Sequence, residues 1–269
     1  MLLLPIRTVE KVWGRDVLPS PFEAPEGKRI GEIWFEPPEE LSELLVKYLF
    51  TSEKLSIQNH PSDAQTEAQG LGRQGKEECW LVIDAEPGAT LGIGFDVPIS
   101  QEDMRAAALD GSIEQKLTWH EVQAGDFFYI PANTVHAIGP GCSIVEIQQN
   151  SDITYRLYDY GRDRELHLDE GIAIADGSPY PERLHQRVPS DDNASLVDGP
   201  HFRLDYIQGE ADDGLKYSHP ERCLVLPLAG EVLVEGELVH PGECALAKGL
   251  ADVTFAPNGR ALVASPTPV

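Results

Sequence analysis

Short apolar runs cut by glycine and proline constrain this chain more than any other feature. Leu44-Leu45-Val46-Lys47-Tyr48-Leu49-Phe50, Glu78-Cys79-Trp80-Leu81-Val82-Ile83, Phe127-Phe128-Tyr129-Ile130 and Ser143-Ile144-Val145-Glu146-Ile147-Gln148 are too short for ordinary helices and rich in β-branched and aromatic residues. Bounded by turn formers, they read as strands. Pro37-Pro38 divides the first from another extended segment over residues 28–36. Past residue 200, Leu224-Val225-Leu226, Val232-Leu233-Val234, Leu238-Val239 and Ala245-Leu246-Ala247 repeat the pattern, with turns such as Glu235-Gly236 between them. The 24 glycines and 21 prolines suit such a chain. Many short strands at this spacing predict a mainly β fold of sandwich or jelly-roll type.

Helix is confined to small pieces. Residues 100–118 form the clearest patch: Ser100-Gln101-Glu102-Asp103 reads as a capping box with Asp at the third position, and Gly111 breaks the run. Ser62 to Gln69, ending at Gly70, reads as a short helix or turn. The stretch 175–200, rich in Asp, Ser, Pro and Gly, reads as a linker. The expected organisation is therefore residues 1–175, with a helical insertion at about 100–118, followed by 176–269 as linker and second β-domain. A Gly-acid turn into an apolar strand occurs at Gly125-Asp126 and again at Gly242-Glu243, but only the first copy is followed by a histidine. The second half thus reads as a duplicate without metal ligands.

A net charge of −24, from 45 acids against 21 bases, excludes a general nucleic-acid binder. An anionic substrate needs a local cluster of cations to overcome that field; Lys54, Arg73, Lys76, Arg156, Arg162 and Arg164 are the candidates. The opening Met1-Leu2-Leu3-Leu4-Pro5 is too short for a secretion signal, and no run could span a bilayer as a helix. Cys79, Cys142, Cys223 and Cys244 are widely spaced, which indicates buried free thiols rather than a zinc ribbon or disulfide framework. A cytoplasmic protein with no membrane or nucleic-acid partner is expected; oligomeric state is not encoded legibly.

Chemistry concentrates in three segments. Gln58 and His60, in Leu55-Ser56-Ile57-Gln58-Asn59-His60-Pro61, stand at i and i+2, so on a strand both leave the same face; on a helix they would diverge. Glu78 and His136 lie in two further segments, Gly75-Lys76-Glu77-Glu78-Cys79-Trp80 and Ile130-Pro131-Ala132-Asn133-Thr134-Val135-His136. Together the four offer one amide oxygen, two imidazoles and one carboxylate, an open set for a catalytic divalent metal such as zinc. Lys76 shares a strand face with Glu78, whereas Glu77 faces the other way and reads as a solvated surface acid. Trp13, Trp34 and Trp80 read as core aromatics, and the remaining histidines, His201 and His219 among them, as surface or structural residues.

The phrase from Gly125-Asp126 through Ile130-Pro131 to His136 resembles the second cupin motif. More of the chain, about the first 165 residues, resembles type I mannose-6-phosphate isomerase in its short bacterial form. The motifs are Val12-Trp13-Gly14, Gly31-Glu32-Ile33-Trp34, the 55–61 and 75–80 segments, the 131–136 turn, and Val145-Glu146 followed by Asn150-Ser151-Asp152 and Thr154-Tyr155-Arg156-Leu157-Tyr158-Asp159. The resemblance implies a cupin-type jelly-roll barrel, a second degenerate cupin-like β-domain, and one zinc held by Gln58, His60, Glu78 and His136. It implies that Lys76, Glu146, Asp152 and Arg156 line the site for a sugar phosphate, interconverted between mannose 6-phosphate and fructose 6-phosphate.

The residue chemistry accords with that activity. An aldose–ketose isomerase moves a proton between neighbouring carbons through an enediol(ate), which demands a base and a positive charge where the oxyanion develops. Asp152 and Glu146 are the candidate bases, and the sequence does not choose between them. Arg156 either serves an anion or forms a salt bridge to Asp152 or Asp159, since an unpaired buried charge is costly. Lys54, Arg73 and Arg162 are candidates for the phosphate. Two other readings stand: a sugar-phosphate-binding cupin without turnover, and another cupin metalloenzyme such as an iron oxygenase, although those sites favour a His-x-His pair over Gln58-x-His60.

Overall fold

The structure, a computed structural model, describes residues 1–267. Its central layer is a seven-stranded antiparallel sheet in the order His185–Arg187, Asp126–Ile130, Glu78–Ala85, Cys142–Gln149, Leu44–Phe50, Ile30–Phe35, Ile6–Arg15. This sheet is covered on both faces, which explains why its middle strands read as continuous apolar runs rather than alternating ones. Every residue of Leu44–Phe50 and of Cys142–Gln149 is buried.

On one face lies a five-stranded sheet, ordered Tyr155–Tyr158, Ile57–Asn59, His136–Ile138, Thr90–Phe95, Leu117–Glu121. Leu49, Trp80, Val82, Phe128 and Ile144 of the central sheet interdigitate there with Leu91, Ile93 and Ile138. On the opposite face, Tyr48, Phe50, Leu81, Val145 and Ile147 pack against Leu204, Tyr206, Leu224, Leu246 and Leu262 of a six-stranded sheet. A three-stranded sheet closes the far side of that one over a valine-rich core that includes Val225, Val234, Val239 and Val263. The mainly β, jelly-roll architecture expected from the strand pattern is what the chain adopts, in two sandwiches.

The halves exchange strands. Leu2–Leu3 pairs with Ala245–Ala247 at the edge of the six-stranded sheet. Residues 175–200 contribute His185–Arg187 to the edge of the central sheet and Ala194–Asp198 to the edge of the six-stranded one.

Helix Gln101–Asp110 lies where the sequence places it, capped by Ser100, whose Oγ accepts from the Asp103 amide at 3.1 Å; Gly111 at φ 83° ends it. The Asp103 carboxylate accepts from the Ser100 hydroxyl rather than from its backbone, so the reciprocal half of a capping box is absent. A complete box occurs instead at Ser62, ahead of helix Asp63–Ala68, with Gln65 as reciprocal partner. Met104, Ala107 and Ile113 join Leu157 and Ile172 in a cluster over the outer face of the five-stranded sheet. No helix among the described residues is long and apolar enough to cross a membrane.

One buried polar group in the C-terminal half carries a stability prediction. The wholly buried His219 lies 2.7 Å through Nε2 from Asp205 Oδ2 and 2.7 Å through Nδ1 from Ser265 Oγ, joining the paired strands Phe202–Gln208 and Arg260–Pro266. Removing the imidazole strands a carboxylate in the interior, at a cost of ~3–5 kcal/mol. His219→Ala is expected to lose that much in urea denaturation; a loss under ~1 kcal/mol would show that the Asp205–His219–Ser265 link contributes little to stability.

Candidate metal centre

Three buried ligand groups converge between the central and five-stranded sheets. His136 opens strand His136–Ile138, which lies beside Ile57–Asn59 in a register that sets His136 opposite Gln58. His60 follows directly on that second strand, and Glu78 begins Glu78–Ala85 in the facing sheet. One ligand atom from each of His60, Glu78 and His136 lies within 4.8 Å of the others. Among the described residues this is the only such group of His, Cys, Asp and Glu.

Backbone carbonyls orient both imidazoles. His60 Nδ1 lies 2.9 Å from the Ile153 carbonyl and His136 Nδ1 lies 2.8 Å from that of Thr134. A carbonyl only accepts, so each Nδ1 carries the proton and each Nε2 presents its lone pair inward. Burial, reinforced by Lys76, pushes His60 well below the ordinary imidazole range. Burial likewise pushes His136 down, against the pull of Glu78. Both therefore stay neutral, the form that ligates metal. Burial opposes ionisation of Glu78, but the Lys76 ammonium bonded to it outweighs that and holds the carboxyl below its usual range.

The fit to a cation is visible in the hydrogen bonding. Lys76, buried beside the cluster, donates to Glu78 Oε2 and lies 3.2 Å from His60 Nε2. Glu78 Oε1 and His136 Nε2, 3.4 Å apart, have no hydrogen-bond partner although both are buried. Two orphaned lone-pair donors side by side, next to a third nitrogen of the same kind, are what a divalent metal would satisfy. Gln58 completes the candidate set from the same strand face. Its Oε1 accepts from Ser56 Oγ at 3.0 Å, and its side chain lines the adjoining cavity.

That cavity has a volume of about 360 Å³, enough for a small sugar derivative. Lys76, Glu146, Asp152 and Arg156, the residues singled out from the sequence, all line it. So do all three tryptophans expected in the core, Trp13, Trp34 and Trp80. Sequence reasoning passed over Lys47 because it sits in an apolar run; it lies in the floor, 3.1 Å from Glu146 Oε1 and 4.6 Å from the ring centroid of Trp34. Of the phosphate candidates, Lys54, Arg73 and Arg162 are absent from the lining, whereas Arg164 is present. Lys54 is occupied by Glu114, and Arg162 by Glu53 and Asp159. Five cations (Lys11, Lys47, Lys76, Arg156, Arg164) face four acids (Glu32, Glu78, Glu146, Asp152) in the lining, a far higher share of cations than in the chain as a whole.

The two candidate bases are held differently. Glu146 accepts from Trp80 Nε1 at 3.0 Å and from Lys47, with Lys76 3.8 Å away. Asp152 is exposed at the mouth, its carboxylate without a hydrogen-bond partner among the described residues. Arg156 donates to the Glu165 carbonyl at 2.7 Å, while its buried Nε has no partner. Asp159, one of the two acids considered as a salt-bridge partner for Arg156, is instead clamped in bidentate fashion by Arg164, at 2.6 Å through both nitrogens. A larger cleft of about 570 Å³, on the other face of the central sheet beside Phe22, Tyr48 and Leu228, contains none of the convergent ligands.

No family model matches the chain. It is 35% identical over 208 residues to mannose-6-phosphate isomerase ManA of Bacillus subtilis, a match covering 74% of this chain and 65% of that protein. It is 43% identical over 137 residues to the mannose-6-phosphate isomerase of Streptococcus mutans, covering 49% and 43% respectively. The matched segments thus span less than two thirds of these relatives' own length. In three dimensions, a crystal structure of mannose 6-phosphate isomerase from Bacillus subtilis superposes with a TM-score of 0.76 at 25% identity, over 98% of this chain and 99% of that one. A zinc-bound mannose 6-phosphate isomerase shares the fold at a TM-score of 0.71 and 14% identity, over 99% of both chains.

Proposed function

From a chain akin in sequence and in fold to the mannose-6-phosphate isomerases, we propose a zinc-dependent aldose–ketose isomerase that interconverts mannose 6-phosphate and fructose 6-phosphate. The observation that carries this reading is the pair of orphaned buried donors, Glu78 Oε1 and His136 Nε2, of which Glu78 also lines the adjoining cavity with five cationic side chains. In it, His60, Glu78 and His136 would hold one zinc per chain, with Gln58 offering an uncharged amide oxygen as a further ligand. When bound, zinc supplies a Lewis acid that polarises the carbonyl and neighbouring hydroxyl of the open-chain sugar.

The protein's own groups do the rest. Asp152 takes the proton from carbon 2 of the aldose, the C–H electron pair becomes the C1–C2 double bond, and the carbonyl oxygen gains the charge. Lys76 and Arg156 stabilise that enediolate, as cations placed where charge develops. The hydroxyl proton on oxygen 2 passes to oxygen 1, and Asp152 returns its proton to carbon 1 as the C1–C2 double-bond pair forms the new C–H bond and oxygen 2 becomes the ketose carbonyl. Glu146 already accepts from the Trp80 indole N–H and from Lys47, with Lys76 3.8 Å away, so it is assigned the positioning of Lys76 instead. The cations gathered at the cavity offer a phosphate ester partners that the acidic surface elsewhere does not. The four free buried thiols suit a reducing compartment, and we place the enzyme in the cytoplasm.

The test is a coupled assay on mannose 6-phosphate with metal analysis of the same sample. Turnover in the ordinary range of about 1–10³ s⁻¹ with one zinc per chain is expected. Saturable binding of the sugar phosphate without turnover, in zinc-loaded protein, would reduce the chain to a binding protein.

A further inference from the structure

Glu77, read from the sequence as a solvated acid, lies in a polar junction between the two halves of the molecule, its side chain 16% exposed. Tyr129 donates its hydroxyl to Glu77 Oε2, and His201 Nε2 lies 3.6 Å from Oε1. The other ring nitrogen of His201 lies 3.5 Å from Asp63 Oδ2 and 3.2 Å from Gln149 Nε2. Gln149 in turn donates to Asp63 Oδ1 at 2.9 Å and accepts from the Glu77 amide at 2.9 Å. Asp63 Oδ1 also accepts from the Gly75 amide at 2.7 Å.

Asp63 and Glu77 stand near the two ends of one excursion of the chain. It leaves the central cavity just after His60 and returns just before Lys76 and Glu78. The excursion is closed at its neck: the Lys76 amide donates to the Pro61 carbonyl at 2.9 Å, and a Cβ on Gly75 would come within 2.4 Å of that oxygen. His201 belongs to the other half, in the turn between Ala194–Asp198 and Phe202–Gln208, with its carbonyl anchored by the Thr267 amide at 3.1 Å. One imidazole from the C-terminal half therefore faces both ends of the segment that presents the candidate site.

We propose that His201 is a positioning residue of the isomerase site, tying the C-terminal sheet through Asp63 and Glu77 to the segment that sets His60, Lys76 and Glu78. The proposal rests on the isomerase reading, and it touches no reacting atom. A partner this far from the substrate acts by holding side chains in their working geometry, and losing such a partner costs about 10–100-fold. The C-terminal half, which offers no ligand cluster of its own among the described residues, thereby acquires a role in the reaction.

The test compares wild type with His201→Ala, His201→Gln and Tyr129→Phe, each zinc-loaded. His201→Ala is expected to lower kcat about 10–100-fold while KM for mannose 6-phosphate moves less than about threefold, because uniform substrate binding is untouched. Amide hydrogen exchange should quicken about tenfold or more in residues 61–78 and stay unchanged in helix Gln101–Asp110. His201→Gln, whose amide N–H can still reach Glu77, should recover most of both losses. Tyr129→Phe, which keeps the ring packed against Phe202 and removes only the hydroxyl donated to Glu77, should shift both readouts in the same direction as His201→Ala. Wild-type kcat and wild-type exchange in His201→Ala would overturn the proposal, as would a His201→Gln protein no better than alanine. If wild type itself does not turn over mannose 6-phosphate, the isomerase reading fails while the exchange arm still judges the tether.

Discussion

Replacing His136 with alanine is expected to abolish, together, the zinc binding and the mannose 6-phosphate isomerisation proposed for this chain. His136 is buried, its Nδ1 is spent on the Thr134 carbonyl, and its Nε2 has no partner within the protein. Nothing else described near it supplies a nitrogen lone pair except His60, whose ring centroid lies 4.9 Å away. The expected loss is about 10³-fold or more in kcat/KM, corresponding to ~4 kcal/mol of transition-state stabilisation forfeited with the metal. Metal content by elemental analysis and the coupled assay, run on one sample, check both halves of the statement. Substantial turnover by a metal-free His136→Ala protein would sink the zinc mechanism. A His136→Gln variant, closer in volume beside Trp80, whose ring lies 5.3 Å away, separates loss of ligation from loss of packing.

The second large effect is expected at Lys76. In Lys76→Met the apolar stem is kept and only the ammonium is lost, so packing in this buried site changes little. On the proposed reading the metal is expected to stay: Glu78, relieved of Lys76, would still face the cation assigned to it, and Glu146 keeps Lys47 and Trp80. What disappears is a positive charge beside the developing enediolate, worth about 10²–10³-fold in kcat in sites of this kind. Steady-state kinetics should show kcat falling by far more than KM rises, with zinc content unchanged. A zinc-loaded Lys76→Met enzyme within about threefold of wild-type kcat would remove Lys76 from the chemistry and leave it a structural counter-ion. In that event Arg156, whose guanidinium Nε is buried and unpartnered, becomes the sole cation assigned to the oxyanion.

Much of this arrangement is legible in the chain because strand periodicity is local. The i, i+2 spacing of Gln58 and His60 demands an extended backbone, and Ile57–Asn59 supplies it. The alternation of Thr154, Arg156 and Tyr158 against Tyr155, Leu157 and Asp159 reappears as alternating partial and full burial along that segment. Apolar runs without alternation mark a sheet covered on both faces, as in Leu44–Phe50. The same logic gave the wrong setting for Glu77. It does leave the strand on the face away from Glu78, but that face meets the C-terminal half rather than water.

By itself, then, the sequence determined the strands, the faces on which Gln58, His60, Glu78 and Lys76 emerge, and the kinds of ligand they offer. Only the tertiary structure decided which faces meet. It put Lys47, nested in an apolar run, under Glu146 and brought Trp34 to the cavity. It gave Asp159 to Arg164 and so left Arg156 without an acidic partner. It also set His201 against Glu77, far away along the chain. The reason is one of range. Backbone geometry fixes, residue by residue, which side of its own strand a group occupies, whereas the identity of the layer packed against that side depends on burying apolar surface contributed by segments distant in sequence.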